Sequence, residues 1–456
     1  MERTGISFLL NWLKSSNRLP LVIRGARQVG KTWIVRHLAQ LEKLRLIELN
    51  FEDQKELAST FSSNDPTIIV KNLEDILGIE KIEPRKSLLF LDEIQAVPEL
   101  YPKLRWFAEK MPELPVIAAG SLFEFIFKQD HEPLSMPVGR VEFMYLEPLS
   151  FEEFLLAKEK KQLVRLINSY TWSQDIPTIT HTTLLSYFKE YIIVGGMPAA
   201  VKKWVIEQNL VEVSRIHHNI LATFKGDFHK FAGRMDSDLL EQTMERVPVE
   251  LGKKFVYSTV SKDVQVPAIK KSLDLLCKAR LCHKIFSTAA NGLPLHGEVN
   301  EKFIKAIFLD VGLCSASLGL SLVGIKSVQE IALINSGGIA EQVVGQLLRS
   351  MQPLFIDPEL YYWLRYEKKS TAEIDYIIQH EAHVLPIEVK AGEAGTLKSL
   401  HFFMGLKKLS SAVRVYSGMP LRTPIKTKDP YEKSVSYELM SIPFYLISQM
   451  NRLVNE

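Results

Sequence analysis

The apolar positions of the first 150 residues switch repeatedly between strand-like runs and helical spacing. Residues 5–16 carry apolar side chains at helical spacing, and the polar Ser15-Ser16-Asn17-Arg18 ends that pattern before Leu19-Pro20. Leu21-Val22-Ile23-Arg24 is a short strand-like run, residues 33–39 are amphipathic at helical spacing, and Leu44–Asn50 reads as a second strand. A helical region follows to about Leu77, and apolar strands are expected again at 87–93, 114–121 and 141–146. Strands that alternate with helices in this way predict a parallel α/β sheet.

Past residue 150 the pattern changes. Helical spacing runs from Ser150 to about Tyr170, and the Thr-rich, Pro-containing Thr171–Thr183 reads as a loop. Gly195-Gly196-Met197-Pro198 breaks two helical segments, and 205–235 and 237–252 read as amphipathic helices. Residues 267–280 have the spacing of a further helix, followed by a strand at 281–286 and a turn at Asn291-Gly292-Leu293-Pro294. Helix, then strand and turn, matches a winged-helix module. The last part gives a helix at 337–348, strands at 361–365, 373–378 and 384–390, a helix at 397–406 and a strand at 412–416, an αβββαβ order. A chain of 456 residues is too long for one ordinary core, and three domains are expected: 1–150, 151–325 and 326–456.

The 46% hydrophobic content supports packed structure throughout, and a net charge of +3 gives no global field for nucleic acid or a membrane surface. Any DNA contact must come from a local patch. Cys277, Cys282 and Cys314 form no C-x-x-C pair, which points to reduced, buried thiols rather than a disulfide framework or zinc site. Met1–Gly5 lack the apolar core of a signal peptide, and no run reaches bilayer length. A cytoplasmic protein without membrane contact is the expectation.

The chemistry begins in the loop after the first strand. Gly25, Gly30, Lys31 and Thr32 fit G-x-x-x-x-G-K-[ST], whose backbone N–H groups wrap a polyphosphate while the next helix points its positive end at the same anion. The candidate nucleotide-binding segment is Gly25-Ala26-Arg27-Gln28-Val29-Gly30-Lys31-Thr32-Trp33. Lys31 would reach the outer phosphates of ATP and Thr32 would ligate Mg²⁺. About sixty residues after Thr32, the apolar strand that begins at Ser87 ends in the adjacent carboxylates Asp92 and Glu93. At the C-terminal edge of an open α/β sheet they stand where ligands bind, Asp92 for the Mg²⁺ shell and Glu93 as general base for the attacking water. Arg140 supplies transition-state charge to its own or a neighbour's site, or is a surface ion pair. The guanine-reading Asn/Thr-Lys-x-Asp motif is absent beside the sheet, which favours ATP over GTP.

In the last domain Glu341 lies on the first helix, Asp375 on one strand, and Glu388 and Lys390 on the next. Alternation points Glu388 and Lys390 to one face, which Asp375 reaches from the adjacent hairpin strand. Two carboxylates that hold a divalent metal, with Glu341 as a third, and a lysine that positions or deprotonates water are the layout of the PD-(D/E)xK nuclease fold. The metal here would be a second divalent ion, Mg²⁺ or Mn²⁺. The alternative is a surviving fold whose charges form an ion-pair cluster or bind DNA without cutting.

Gly25–Thr32, Leu91-Asp92-Glu93-Ile94-Gln95, Gly120-Ser121, Gly139-Arg140 and Leu146-Glu147-Pro148-Leu149-Ser150-Phe151-Glu152-Glu153-Phe154 together resemble the bacterial and archaeal predicted ATPases of the AAA+ superfamily. The resemblance covers nearly the whole chain. It implies an AAA+-like P-loop NTPase parallel sheet, then a helical and winged-helix domain, then a restriction-endonuclease-like α/β domain. It makes Ser121 either a sensor of the γ-phosphate or the cap of the following helix. It implies a lid packed against the nucleotide domain for Gly195–Pro198, with a structural corner as the alternative, and closure of the middle domain by the Phe308–Leu313 segment. Lys270, Lys271, Lys278 and Arg280 make the expected winged helix locally basic, either for DNA phosphates or as a solvated face between domains. The resemblance is compatible with a homo-oligomeric ring, in which Arg140 would act in trans, and equally with a monomer, since monomeric ATPases with this core also exist. Two functions compete: an ATPase coupled to DNA binding or cleavage, and a nucleotide-dependent switch or signalling scaffold in which nothing is cut.

Overall fold

A computed structural model of the protein describes residues 2–120, 137, 139–228, 236–320, 336–367, 370–392, 395–429 and 432–456. Its first sheet contains β1 (Leu21–Arg24), β2 (Arg45–Asn50), β3 (Ser87–Asp92), β4 (Val116–Gly120) and β5 (Glu142–Tyr145), in the order β2-β3-β4-β1-β5. All the pairings are parallel. Successive side chains of a strand point to opposite faces, and both faces are covered. Leu21, Ile23, Leu88 and Phe90 pack with Leu9, Ile34 and Leu38 from the helices Gly5–Lys14 and Lys31–Leu41. Val22, Leu89 and Leu91 pack with Ile69, Leu73 and Phe107 from the helices Pro66–Leu77 and Leu104–Lys110. This two-sided burial explains the unbroken apolar runs.

The helices Phe151–Ala157, Lys161–Ser169, Thr178–Val194, Pro198–Glu207, Leu210–Phe228 and Ser237–Val249 follow. Ser150 and Glu153 form a capping box at the first of them. The loop expected over 171–183 is a loop only to Pro177. Thr182 and Thr183 donate to the carbonyls of Thr178 and Ile179 at 2.9 and 2.7 Å, and Leu184, Phe188 and Tyr191 are buried. Packing overrides the low helix propensity of threonine. Over the described part of the helix expected at 205–235 there are two helices, 198–207 and 210–228, with Gln208 left-handed between them at φ 48°, and 229–235 lie outside the described residues.

The second sheet contains β6 (Cys282–Thr288), β7 (Val299–Phe308), β8 (Leu360–Glu367), β9 (Ser370–His380), β10 (His383–Val389), β11 (Ser411–Tyr416), β12 (Leu421–Lys428) and β13 (Ser434–Pro443). Its order is β12-β13-β11-β10-β9-β8-β6-β7. The αβββαβ order is present as the helix Ser336–Ser350, β8, β9 and β10, the helix Lys398–Lys407, and β11. The hairpin of β12 and β13 extends it.

One sheet runs through the boundary expected at 325/326. After the helix Val266–Lys278, β6 and β7 form an antiparallel hairpin, and β6 also pairs in parallel with β8, Ile285 opposite Leu360. An open strand edge offers unpaired N–H and C=O groups, and here β8 takes them up. Sequence spacing gives no hint of this pairing, because the partners lie 75 residues apart. Among the described residues, no helix is long and apolar enough to cross a membrane.

Candidate functional site

The P-loop backbone is set by its glycines. A Cβ on Gly25 would stand 2.5 Å from the Leu146 carbonyl oxygen, so only glycine permits this approach of β1's end to the end of β5. Gly30 caps the helix Lys31–Leu41 at φ 98°, with no side chain on its amides. The helix N-terminus therefore presents backbone N–H groups and its positive dipole end to the loop. Gln28 is also left-handed, at φ 67°. Lys31 Nζ donates to the carbonyls of Gly25 and Ala26 at 3.1 and 2.9 Å. Burial pulls its pKa down to about 8 against the opposing influence of Glu93 and Asp92.

Thr32 Oγ1 donates to Asp92 Oδ2 at 2.8 Å. The strands that precede the P-loop and carry Asp92, β1 and β3, are separated by β4, and the parallel register brings the ends of all three to one edge. Asp92 is 3% exposed, and burial raises its pKa while the Thr32 hydrogen bond opposes the rise. Glu93 is left-handed at φ 50° and accepts a hydrogen bond from Gln95. A non-glycine residue held in that region is strained, a feature that clusters at functional sites. Trp33 is partly exposed, its ring stacked on His37 at 4.7 Å. Ser121 lies outside the described residues.

Arg140 is not brought to this edge. Its neighbour Glu142 pairs with Leu21 at the start of β1, whereas the P-loop follows Arg24 at its end. The two edges are on the order of 10–15 Å apart. Arg140 is half exposed and pairs with Glu109 at 2.8 Å. The expectation that it serves its own site is corrected: the side chain is a surface ion pair within this chain.

Three partnerships surround the loop, and those of Arg27 and Glu147 had no signal in the sequence. Arg27 donates to Asp227 on the helix Leu210–Phe228 and to Glu52 Oε2 at 2.6 Å. Pro198, in the Gly195–Pro198 turn, lies 3.6 Å from where a Gly30 Cβ would stand. That turn is fastened by Asp310, fully buried, which accepts from Gly196 N at 2.6 Å, from Gly312 and Leu313 N, and from Gln346 Nε2. Beyond β5, Glu147 Oε1 accepts from Arg280 at 2.8 Å and Arg349 at 2.9 Å. Arg280 is therefore buried and does not join the basic face expected of the helix that precedes it, and Lys270 there pairs with Glu301 at 3.4 Å.

The second sheet assembles the carboxylates that the sequence singled out. Ile387 pairs with Tyr376, which places Glu388 across from Asp375 on one face. Lys390 Nζ donates to Glu388 Oε1 at 2.7 Å, and Val389 N donates to Asp375 Oδ2 at 2.7 Å. Glu388 Oε2 is buried and has no hydrogen-bond partner among the described residues. Two members were missed. Glu373 sits two residues before Asp375 on the same strand face and was readable from the alternation. Lys305, on β7, was not, because the sequence reading put its strand in another domain. Lys305 Nζ lies 2.9 Å from Glu341 Oε2, touches Glu373, and is 4.0 Å from Asp375 Oδ1. Oxygens of Glu341, Glu373 and Asp375 lie within 4.8 Å of one another, a spacing compatible with a bound metal ion. Burial pushes Glu341 up to about 7, and burial with the nearby Asp375 charge pushes Glu388 up to about 8.

Comparison with known families assigns the parts of the chain separately. Residues 17–155 match a family described as AAA domain, 185–323 match a domain of unknown function (DUF8612), and 336–429 match a second (DUF4143). No curated protein matches the chain. Among solved structures, the RuvB Holliday junction branch migration motor of Thermotoga maritima is 14% identical, with a TM-score of 0.29 over 66% of this chain and 93% of that one. A Signal Transduction ATPase with Numerous Domains with a tetratricopeptide repeat sensor, from Pyrococcus horikoshii, is 13% identical, with a TM-score of 0.26 over 77% of this chain and 46% of that one. Those scores are too low to bear on fold or function. The loop geometry and the family match agree on the first part of the chain: residues 17–155 are a P-loop ATPase domain of the AAA type.

Proposed function

We propose that the protein is a Mg²⁺-dependent ATPase whose nucleotide state controls a divalent-metal-dependent DNA-cleaving site in the second sheet. The hydrogen bond from Thr32 to Asp92 carries the ATPase half: it joins, at one sheet edge, the hydroxyl and the buried carboxylate that would hold Mg²⁺. Mg²⁺ there would neutralise phosphate charge. The amides at the start of the helix Lys31–Leu41 and the Lys31 ammonium would hold the phosphates, and Glu93 would take the proton of the attacking water. Arg140 would serve only a neighbouring subunit.

For the cleavage half, Asp375 and Glu388 would hold a divalent ion, Mg²⁺ or Mn²⁺, with Glu341 as the third carboxylate nearby, and Lys390 would position or deprotonate the water. The unpartnered, buried Glu388 Oε2 supports this, because a carboxylate oxygen without a donor suits a hard cation. Coupling between the sites is supported by packing. Leu146 closes over Gly25, and the adjacent Glu147 binds Arg349 of the helix Ser336–Ser350, which also carries Glu341.

The test is cleavage of supercoiled DNA with Mg²⁺ or Mn²⁺, with and without ATP. The wild type is expected to nick it, and Asp375→Ala and Lys390→Ala to lose about 100-fold or more of the rate. No cleavage by the wild type under any of these conditions would leave the nucleotide-switch reading in its place.

A further inference from the structure

We infer that Lys305 is a built-in cation standing in for a second metal ion, so that the carboxylate site of the second sheet takes one divalent ion, on Asp375 and Glu388. The inference rests on the reading of those two residues as metal ligands. Five charged side chains meet here from four elements: Lys305 from β7, Glu341 from the helix Ser336–Ser350, Glu373 and Asp375 from β9, and Glu388 from β10. Carboxylates this close repel one another in a low-dielectric interior unless a cation lies among them. Lys305 supplies it. Its side chain is 1% exposed, its ammonium lies 5.3 Å from the centre of the Tyr362 ring, and it reaches Glu341 and Glu373 directly.

The lysine divides the cluster. Glu341 and Glu373 are on its side, as ion-pair partners. On the other side Asp375 gives one oxygen to the Val389 N–H, and its second oxygen, 4.0 Å from the lysine, is beyond hydrogen-bond range. Glu388 gives one oxygen to Lys390, and the other, although buried, accepts from nothing among the described residues. The two remaining oxygens belong to residues that face each other across β9 and β10. A second divalent ion would have to displace an ammonium group whose whole stem is buried, and would crowd two more positive charges against it.

Mn²⁺ binding to the full, nucleotide-free chain tests this, with the ions lost on Glu388→Gln counted as those of the second sheet. The wild type is expected to hold one ion there, Lys305→Arg one, and Lys305→Met two with the exchange-coupled electron paramagnetic resonance spectrum of a Mn²⁺ pair. Glu341→Gln is expected to leave the single-ion affinity within about threefold, whereas loss of a true ligand costs about tenfold or more. One ion in a folded Lys305→Met protein overturns the inference and leaves the Asp375–Glu388 reading intact. No ion lost on Glu388→Gln, in wild type or Lys305→Met, overturns both. If Lys305→Met does not fold by circular dichroism, Glu341→Gln decides: a tenfold loss makes Glu341 a metal ligand and overturns the inference.

Discussion

Arg27 of the P-loop and Asp227 of the helix Leu210–Phe228 are joined across 200 residues of sequence, with Arg27 Nη1 donating to both carboxylate oxygens at 2.6 and 2.5 Å. The guanidinium is fixed between this helix and Glu52, so the phosphate loop and the helical region move together. A partly buried, charge-assisted pair of this kind contributes about 1–2 kcal/mol. Asp227→Ala is expected to speed amide hydrogen exchange in residues 210–228 by about tenfold while the sheet core stays protected. Unchanged exchange would show that the pair holds nothing.

Lys31 and Glu93 have separable roles. Lys31→Ala should abolish measurable ATP binding. Glu93→Gln should bind ATP as the wild type does, yet turn it over about 100-fold or more slowly, because only proton acceptance is removed. Equilibrium binding with a labelled ATP analogue and steady-state phosphate release distinguish them. Normal hydrolysis by Glu93→Gln would remove Glu93 as the base.

Arg140 faces away from its own P-loop. Arg140→Ala should therefore change ATP turnover by less than about twofold at dilutions where the chain is monomeric. A larger loss in the monomer contradicts the placement. A loss that appears only with assembly, followed by light scattering, assigns Arg140 to a neighbour's site.

Glu147 ties three regions together, and its ionisation is linked to stability. Burial opposes the charge, but Arg349 and Arg280 outweigh it and hold the carboxyl well below its ordinary value of 4.5. The folded value lies below the unfolded one, so this stabilisation is complete above pH 4.5 and is lost as pH falls below it. Glu147→Gln leaves two buried guanidinium groups without their carboxylate and should cost about 3–5 kcal/mol at neutral pH. Denaturant titrations at pH 7 and at successive values below 4.5 should show the variant losing less stability on acidification than the wild type.

Gly195 has φ 69° and ψ −167°, a conformation open to glycine, and a Cβ there would meet Asp310 Oδ1 at 2.1 Å. Gly195→Ala should destabilise the protein by about 3 kcal/mol or more, through both backbone strain and the displaced Asp310. Thermal melting measures it, and a melting temperature equal to the wild type would mean that the turn relaxes freely.

Local signals carried far in this chain. The run from Gly25 to Thr32 encodes its own turn, because glycine alone tolerates φ 98° at position 30 and the close approach at position 25. The strand ending at Asp92 shows itself by unbroken apolar residues, and the alternation of β9 and β10 puts Asp375, Glu388 and Lys390 on one face. Each of these depends on residues within about fifteen positions of one another, where backbone geometry translates spacing directly into direction. Only the tertiary structure decided the rest. The same geometry that brought Asp92 to Thr32 turned Arg140 to the far edge, and Arg280, basic in sequence, became a buried partner of Glu147. β6 and β7 joined the second sheet through a pairing with β8, and that pairing delivered Lys305 to Glu341 and Glu373. Sheet edges and buried charges choose partners by proximity in space, and a chain of this length offers many partners of the right type at every sequence distance. Amphipathic periodicity specifies which face is buried, and it leaves open what the face is buried against.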